Sequence, residues 1–499
     1  MDIKSTDLIS LFEKSLSDQP QKKLDEIGIV VQISDNICKV HGLSNAVYSE
    51  IVDFEGGNKG VILDLDEDFV SVFLLYRNIE VNELEVAKRT GTVFKTIVGD
   101  ELLGRTINAL GKPIDALGPI KYKEKRPIQV TVPGVTERSP VNTPLETGIL
   151  AIDALIPIGK GQRELIIGNR NTGKTAIVVD TILNQKGKDV ICIYVSIGQR
   201  QAGLARIIKT LEEHGALEYS VIISADASEA VINQYLAPYV GTTIAEYFRD
   251  TKKDVLIIYD DLTNHAVAYR EMSLLMMRAP GREAFPGDVF YLHSRLLERA
   301  GKLAAGGSIT ALPIAQVQSD DITAYIPTNL ISITDGQIFL DTKLFNSGIR
   351  PAINIELSVS RVGGAAQTSA VKNMSKALKL ELAQYRDLLD FAQFGSELDE
   401  VSQRVLAKGS IAVEILKQNQ FINYSFIDEA LILFAYKENY LDKIPLKEIS
   451  KFLRRYVNYV KSVYPEIWTT IQTTTEISPE TKKQLAIVTQ EFEHLFSSE

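Results

Sequence analysis

The chain has 499 residues, a formal net charge of -10 and a sequence pI of about 5.3. Its length predicts several domains, and 45% hydrophobic with 24% charged residues is the composition of a globular protein. The acidic balance argues against a nucleic-acid binder, which ordinarily shows a basic patch. Met1-Asp-Ile-Lys-Ser lacks the basic stretch and apolar core of a secretory signal. No apolar run approaches the roughly 20 residues that span a bilayer, so any membrane link is expected to run through partners. Cys38 and Cys192 lie in apolar, strand-like runs, which predicts buried thiols in a reducing compartment.

Residues 6–17 place Leu8, Ile9, Phe12 and Leu16 on one stripe of an amphipathic helix, which either packs on its own body or docks on a partner. The predicted domains are this N-terminal helix (1–24), a small β-barrel (25–91), a central α/β domain with a mostly parallel sheet (92–368) and an all-α bundle (369–499). The barrel is read from alternating runs such as 28–43 and 60–73, broken at turn residues. In the central domain, core strands are expected at 164–167, 189–195, 220–224 and 254–259, with helices at 202–213 and 228–249 between them. Ligands of such sheets bind at the carboxyl ends of the strands. From 369 onward apolar residues recur at helical spacing, and Pro445, Pro465 and Pro479 break the segments.

One stretch carries specific chemistry. Gly168-Asn169-Arg170-Asn171-Thr172-Gly173-Lys174-Thr175 fits G-x-x-x-x-G-K-T, with an apolar strand before it and a helix after it. Glycines let the backbone wrap a polyphosphate, whose oxygens face successive N–H groups. Lys174 supplies a point charge for the outer phosphates, and Thr175 offers its hydroxyl to Mg²⁺. Downstream, the strand 254–261 ends in Asp260 and Asp261, and Asp260 is the carboxylate expected to hold Mg²⁺ through water. After the strand 190–197 comes Gln199, an amide that can position a water but cannot act as a general base. The run 351–364 reads as a strand ending in Arg361 and two glycines; from the residues alone Arg361 is either a surface ion pair or an arginine finger.

Several further segments resemble the alpha subunits of rotary F-type ATP synthases. They are 104–115, 133–135, 156–165, 267–275, 280–299, 331–337 and 391–399, and with the loop above they run through almost the whole chain. The resemblance implies a nucleotide-binding subunit, holding ATP (or ADP) and Mg²⁺, that alternates with a homologous catalytic beta subunit around a central gamma shaft. It implies that the N-terminal helix meets delta and the peripheral stalk, that the location is peripheral on an energy-transducing membrane, bacterial-type or organellar, and that the membrane is reached only through the ion-translocating sector. Gln199 matches the position where beta carries its water-activating glutamate, which marks this chain's own site as non-catalytic. Arg361 matches the arginine that alpha reaches into the beta site, and Ser358 lies in the signature before it. Arg350, Gln418 and Gln420 match positions at the base and ribose end of the alpha nucleotide site.

This chain departs from that family at three places. The loop usually reads Gly-Asp-Arg-Gln where this chain has Gly168-Asn-Arg-Asn171, and Glu356 stands where glycine is usual. Segment 421–429 is also divergent. The alternative is a self-sufficient hexameric P-loop ATPase, an export motor or RNA translocase; it needs its own water-activating carboxylate, against which Gln199 speaks.

Overall fold

The structure, a computed structural model, describes residues 27–392 and 399–497. The expected helix at 6–17 and most of the 391–399 segment lie outside the described residues.

Six strands, β1 (Ile27–Ser34), β2 (Ile37–His41), β3 (Glu50–Phe54), β4 (Lys59–Leu65), β5 (Phe69–Leu74) and β6 (Val86–Val93), close into a barrel in the order β1-β2-β5-β4-β3-β6. Alternation explains the closure: Val30, Cys38, Val40, Val52, Ile62 and Val72 all point inward and are fully or almost fully buried. Asp35, at φ 49°, lets β1 turn into β2 within two residues. Inside the seam Glu50 is fully buried and takes a forked pair from Arg89, with Nε to Oε1 and Nη2 to Oε2 both at 3.0 Å.

The central part begins with β7 (Lys95–Val98), β8 (Thr106–Asn108) and β9 (Glu124–Pro127), of which β7 and β9 form a two-stranded ribbon. The main sheet adds β10 (Leu165–Gly168), β11 (Val190–Gln199), β12 (Ser220–Asp226), β13 (Asp254–Asp260), β14 (Gly301–Lys302), β15 (Ser308–Gln316), β16 (Gly336–Leu340) and β17 (Val359–Ser360). Its order is β17-β16-β10-β15-β13-β11-β12-β8, with β14 on β15. All pairings are parallel except β14 with β15 and β16 with β17. Near-continuous burial along β10, β12 and β13 is what a parallel sheet covered on both faces requires. The four expected core strands are present.

The run 351–364 differs from expectation. Only Val359–Ser360 forms a strand on the sheet, and upstream of it a single bridge joins Ile353 to Leu340. The cause is local: the Asn354 side chain accepts from Glu356 N (3.1 Å) and Leu357 N (3.2 Å), a turn that competes with a ladder.

Beyond Ser369 the described residues are helical. Pro465 and Pro479 begin helices (Pro465–Thr474 and Pro479–Ser497), where a missing N–H costs nothing. Gly409 lets helix Glu400–Ile415 lie against Tyr385, since a Cβ there would sit 2.2 Å from the ring. The helix Phe426–Lys437 opens on a capping box between Ser425 and Asp428 and is then buried almost throughout. It carries Glu429, 1% exposed, against the buried Asp153 of helix Leu150–Leu155.

Asp153 accepts from Thr147 N (3.0 Å), Thr147 Oγ1 (2.8 Å) and Gly148 N (2.9 Å), so it keeps its charge. Glu429 leaves Oε1 buried without a partner and holds the proton it gives to Asp153. Burial pushes both up, Asp153 to about 6 and Glu429 well above the carboxylate range, with Asp153 and then Glu146 adding repulsion on Glu429 and Lys188 easing it. A carboxyl held above its unfolded value stabilises below about pH 4 and loses that contribution as pH rises through the folded values. The thermal stability of the parent protein should therefore fall from about pH 5 to 8 relative to Glu429→Gln, whose amide donates at every pH. Parallel curves for the two proteins would remove the shared proton.

Candidate functional site

The loop after β10 forms because Gly173 adopts φ 100°, and Asn171 takes φ 63°, a left-handed conformation that asparagine tolerates better than most residues. Helix Lys174–Leu183 starts there, with its first N–H groups and its positive dipole end at the loop. Thr172 Oγ1 closes the turn by donating to Asn169 O at 2.8 Å. Lys174 Nζ donates back to Gly168 O at 2.8 Å and also to Asn169 O. Burial lowers Lys174 to about 8, opposed by the nearby charges of Asp261 and Asp260.

At the end of β13, Asp260 accepts from Thr175 Oγ1 (3.1 Å), Tyr194 OH (2.5 Å) and Gln199 Nε2 (3.2 Å). Asp260 is 4% and Asp261 3% exposed. Burial raises both, Asp261 to about 7 with added repulsion from Asp260. Two buried carboxylates beside a hydroxyl make an all-oxygen set of the kind a hard divalent cation takes, and a cation offsets the cost of burying them. Tyr194 carries no motif in the sequence; it sits mid-strand, and only the parallel register of β11 with β13 brings it to Asp260.

A cavity of about 480 Å³ opens from the loop. It is lined by Asn171, Thr172, Gly173, Lys174 and Thr175 on one side and by Arg350, Gln418 and Gln420 on the other. Arg350 stands 4.5 Å over the Phe345 ring. Gln418 has no free end: it accepts from Leu150 N (3.0 Å) and donates to Gly148 O (2.6 Å) and Ile422 O (2.5 Å). It therefore shapes the cavity, and Arg350, Asn419 and Gln420 are polar residues exposed at that end. Asp180, equally unmarked in the sequence, lines the cavity with Oδ1 accepting from Phe421 N at 3.1 Å; burial raises it to about 6. Asn169 and Arg170 do not line the cavity. The Asn169 side chain turns sideways to neighbouring loops, and Arg170 is exposed.

Arg361 is elsewhere. It follows β17, whose Ser360 pairs with Gly336, one residue before the Leu165–Gln337 pairing that opens β10. The phosphate loop leaves the other end of β10, four residues or roughly 13 Å away. Arg361 lines a separate cleft of about 400 Å³ with Arg138, Arg163, Lys302 and Asp335. Among the described residues it makes no ion pair within 4.0 Å, whereas Arg163 is held by Asp335 at 2.9 Å and also by Glu298. Ser358, fully buried, donates to Asn354 O (2.5 Å) and accepts from Phe339 N (2.9 Å), pinning the irregular run to β16. Glu356 pairs with Arg386 at 3.3 Å.

Family models match nearly the whole of this architecture. That for the ATP synthase alpha/beta family, nucleotide-binding domain, spans 148–360. The beta-barrel domain of the same family matches 24–78, and its C terminal domain matches 367–492. The ATP synthase subunit alpha of Acetivibrio thermocellus is 52% identical over 99% of this sequence and 98% of its own. That of Caldanaerobacter subterraneus subsp. tengcongensis is 52% identical over 95% and 94%, and that of Clostridium botulinum 50% over 100% and 100%. The chain belongs to the ATP synthase alpha subunit family. It is accordingly a nucleotide-binding subunit of an ATP synthase complex, and the alpha-like features of the site can be read as such. Among the described residues no helix is long and apolar enough to cross a membrane.

The buried Lys174 yields a pH prediction. The loop pattern predicts that its charge meets the phosphates, and its value near 8 means that it loses the proton above that pH. ATP affinity of this alpha-family protein should be flat below about pH 8 and fall by up to tenfold per unit above it, while Lys174→Arg, charged throughout, stays flat. Identical pH profiles for the two proteins in a nucleotide titration would dissociate Lys174 from phosphate binding.

Proposed function

We propose that this protein is a regulatory, largely non-catalytic alpha subunit: it holds Mg-ATP in its own site and supplies Arg361 to the site of a neighbouring beta subunit. The observation that carries this reading is the division of β10. The phosphate loop is at one end, and Arg361, free of ion pairs among the described residues, is at the other. A guanidinium at the opposite end of β10 is remote from this site's own phosphates, and one with no carboxylate within 4.0 Å among the described residues is available to another subunit's.

The site's own chemistry supports holding over hydrolysis. At the end of β11 the group facing Asp260 is the amide of Gln199, whose Nε2 is engaged by that carboxylate. An amide has no proton-accepting power near neutral pH. In this reading Lys174 leaves the loop carbonyls for the outer phosphates. Thr175 and Asp260 hold Mg²⁺, which when bound neutralises phosphate charge. Arg350 and Gln420 meet the base and ribose. Gln418 keeps their wall in place. The departures at Asn169 and Asn171 leave the backbone cradle intact, because it is built from N–H groups and Gly173.

The partners are proposed accordingly: the homologous beta subunit in an alternating ring, the gamma shaft within it, and delta with the peripheral stalk at the N-terminal segment. The location is peripheral, on an energy-transducing membrane, with the membrane reached through the ion-translocating sector. The domain limits 1–24, 25–91, 92–368 and 369–499 are proposed with this assignment. The relatives at half identity are ATP synthase alpha subunits, and no feature among the described residues favours the self-sufficient motor.

The purified subunit should bind ATP with Mg²⁺ and hydrolyse it negligibly; brisk turnover by the subunit alone refutes the holding role. In the assembled ring, Arg361→Ala should leave nucleotide on this subunit and lower ATPase activity by about 10³-fold or more. Unchanged turnover of the mutant ring excludes the finger. Lys174→Ala should instead empty this subunit's site while the ring keeps part of its activity, and nucleotide retained on the mutant subunit contradicts the loop assignment.

A further inference from the structure

Three loops meet where β16, β10 and β15 end side by side. Each contributes one polar residue. Asn169 comes from the phosphate loop, Thr342 from the helix after β16, and Asp320 from the loop after β15. Asn169 Nδ2 donates to Thr342 Oγ1 at 2.9 Å. Thr342 Oγ1 donates to Asp320 Oδ1 at 3.0 Å. Asp320 N donates to Asn169 Oδ1 at 3.1 Å, closing the ring. A fourth bond, Val317 N to Gly168 O at 3.2 Å, ties the same two loops one residue earlier.

The ring has only one self-consistent polarity. A hydroxyl has one proton. The Asp320 carboxylate is acceptor-only, so it takes that proton. The Thr342 oxygen must then receive a donor from residue 169, and a carboxylate there has none to give. Residue 169 therefore has to be an amide while residue 320 is an acid. The negative charge that the phosphate loop lacks at Asn169 is present one side chain away, on Asp320.

We propose that Asp320 is a positioning residue of the nucleotide site: through Thr342 it fixes Asn169, and with it the first turn of the phosphate loop, and it carries the acidic charge at this edge of the site. This inference rests on the reading of the loop as an ATP site. It makes the aspartate usual in related loops unfit here unless residue 320 changes with it. With Asn169→Asp alone, two carboxylates compete for one proton, and a second negative charge is added beside the triphosphate. With Asn169→Asp and Asp320→Asn together, the ring runs in reverse: Thr342 donates to residue 169 and the amide at 320 donates to Thr342.

The test is a double-mutant cycle on the full-length protein, reading MgATP affinity by titration calorimetry. Asn169→Asp should weaken binding about tenfold, the size expected for a part-buried polar group left without its partner. Asp320→Asn should cost less, because its carbonyl still accepts from Thr342. The double variant should return to within about threefold of the parent, and the coupling should vanish in a Thr342→Val background, since it runs through that hydroxyl. Asn169→Asp binding as tightly as the parent, a double variant as weak as Asn169→Asp, or coupling that persists without the hydroxyl each overturns the proposal. Should Asn169→Asp not fold, the double variant decides alone: folded and binding supports the ring, unfolded or non-binding overturns it. A parent protein that binds no MgATP fails the site reading itself, a result distinct from a parent that binds and shows no coupling.

Discussion

The parallel register of β10 with β15 and β16 is the constraint on which the rest depends. In parallel pairing every strand presents its carboxyl end at the same edge, so the loops after β10, β11, β13, β15 and β16 collect there. That edge brings together the phosphate loop, Gln199, Asp260, Asp320 and Thr342. The opposite edge receives two short antiparallel additions, β14 and β17, and with β17 comes Arg361. Four buried residues, Leu165 to Gly168, thus separate the glycine loop from the cleft that Arg361 lines. Glu164 marks the boundary on the arginine side: fully buried, it accepts from Gln162 at 2.7 Å and is held well above the carboxylate range by burial.

Charge buried in this protein is tolerated where it has a use or a partner. Arg299 and Glu246, both nearly inaccessible, form a pair 2.5 Å apart whose remaining donors go to Ile128 O and Thr243 Oγ1. That is the fully satisfied case, in which hydrogen bonds offset desolvation. Asp260, Asp261 and Lys174 are a different case. Each has its charged form opposed by burial, and two acids face one base. Such a set is poised for added cationic charge and added phosphate. Asp153 with Glu429 is a third solution, in which a shared proton replaces the missing cation.

Lining a site differs from serving it, as the cavity's two glutamines demonstrate. Gln418 and Gln420 are two residues apart and both border the space. Gln418 spends both ends of its amide on backbone groups of the 148–150 and 422 segments, and Gln420 does not. Arg350 is held over Phe345, which positions a guanidinium without neutralising it. Asp180 adds an acceptor that no motif announces.

The sequence by itself determined the three-part architecture, the core strands, the phosphate loop and the carboxylate of β13. Each depends on local spacing: alternation at period two, apolar strands between turn residues, and a glycine pattern between a strand and a helix. It also determined that Gln199 is an amide, which no fold can change. The run to Arg361, however, reads as a strand and for most of its length is not one, because the Asn354 side chain takes the N–H groups of Glu356 and Leu357 into a turn. Tertiary structure alone decided which end of β10 Arg361 occupies, that Tyr194 reaches Asp260, that Gln418 is consumed, and that Asn169 closes a ring with Thr342 and Asp320. The physical reason is long-range placement. Three of these depend on the register between strands distant in the sequence, and Gln418 depends on the docking of its segment against residues 148–150; both are set by packing and hydrogen bonds, not by the residues' neighbours along the backbone.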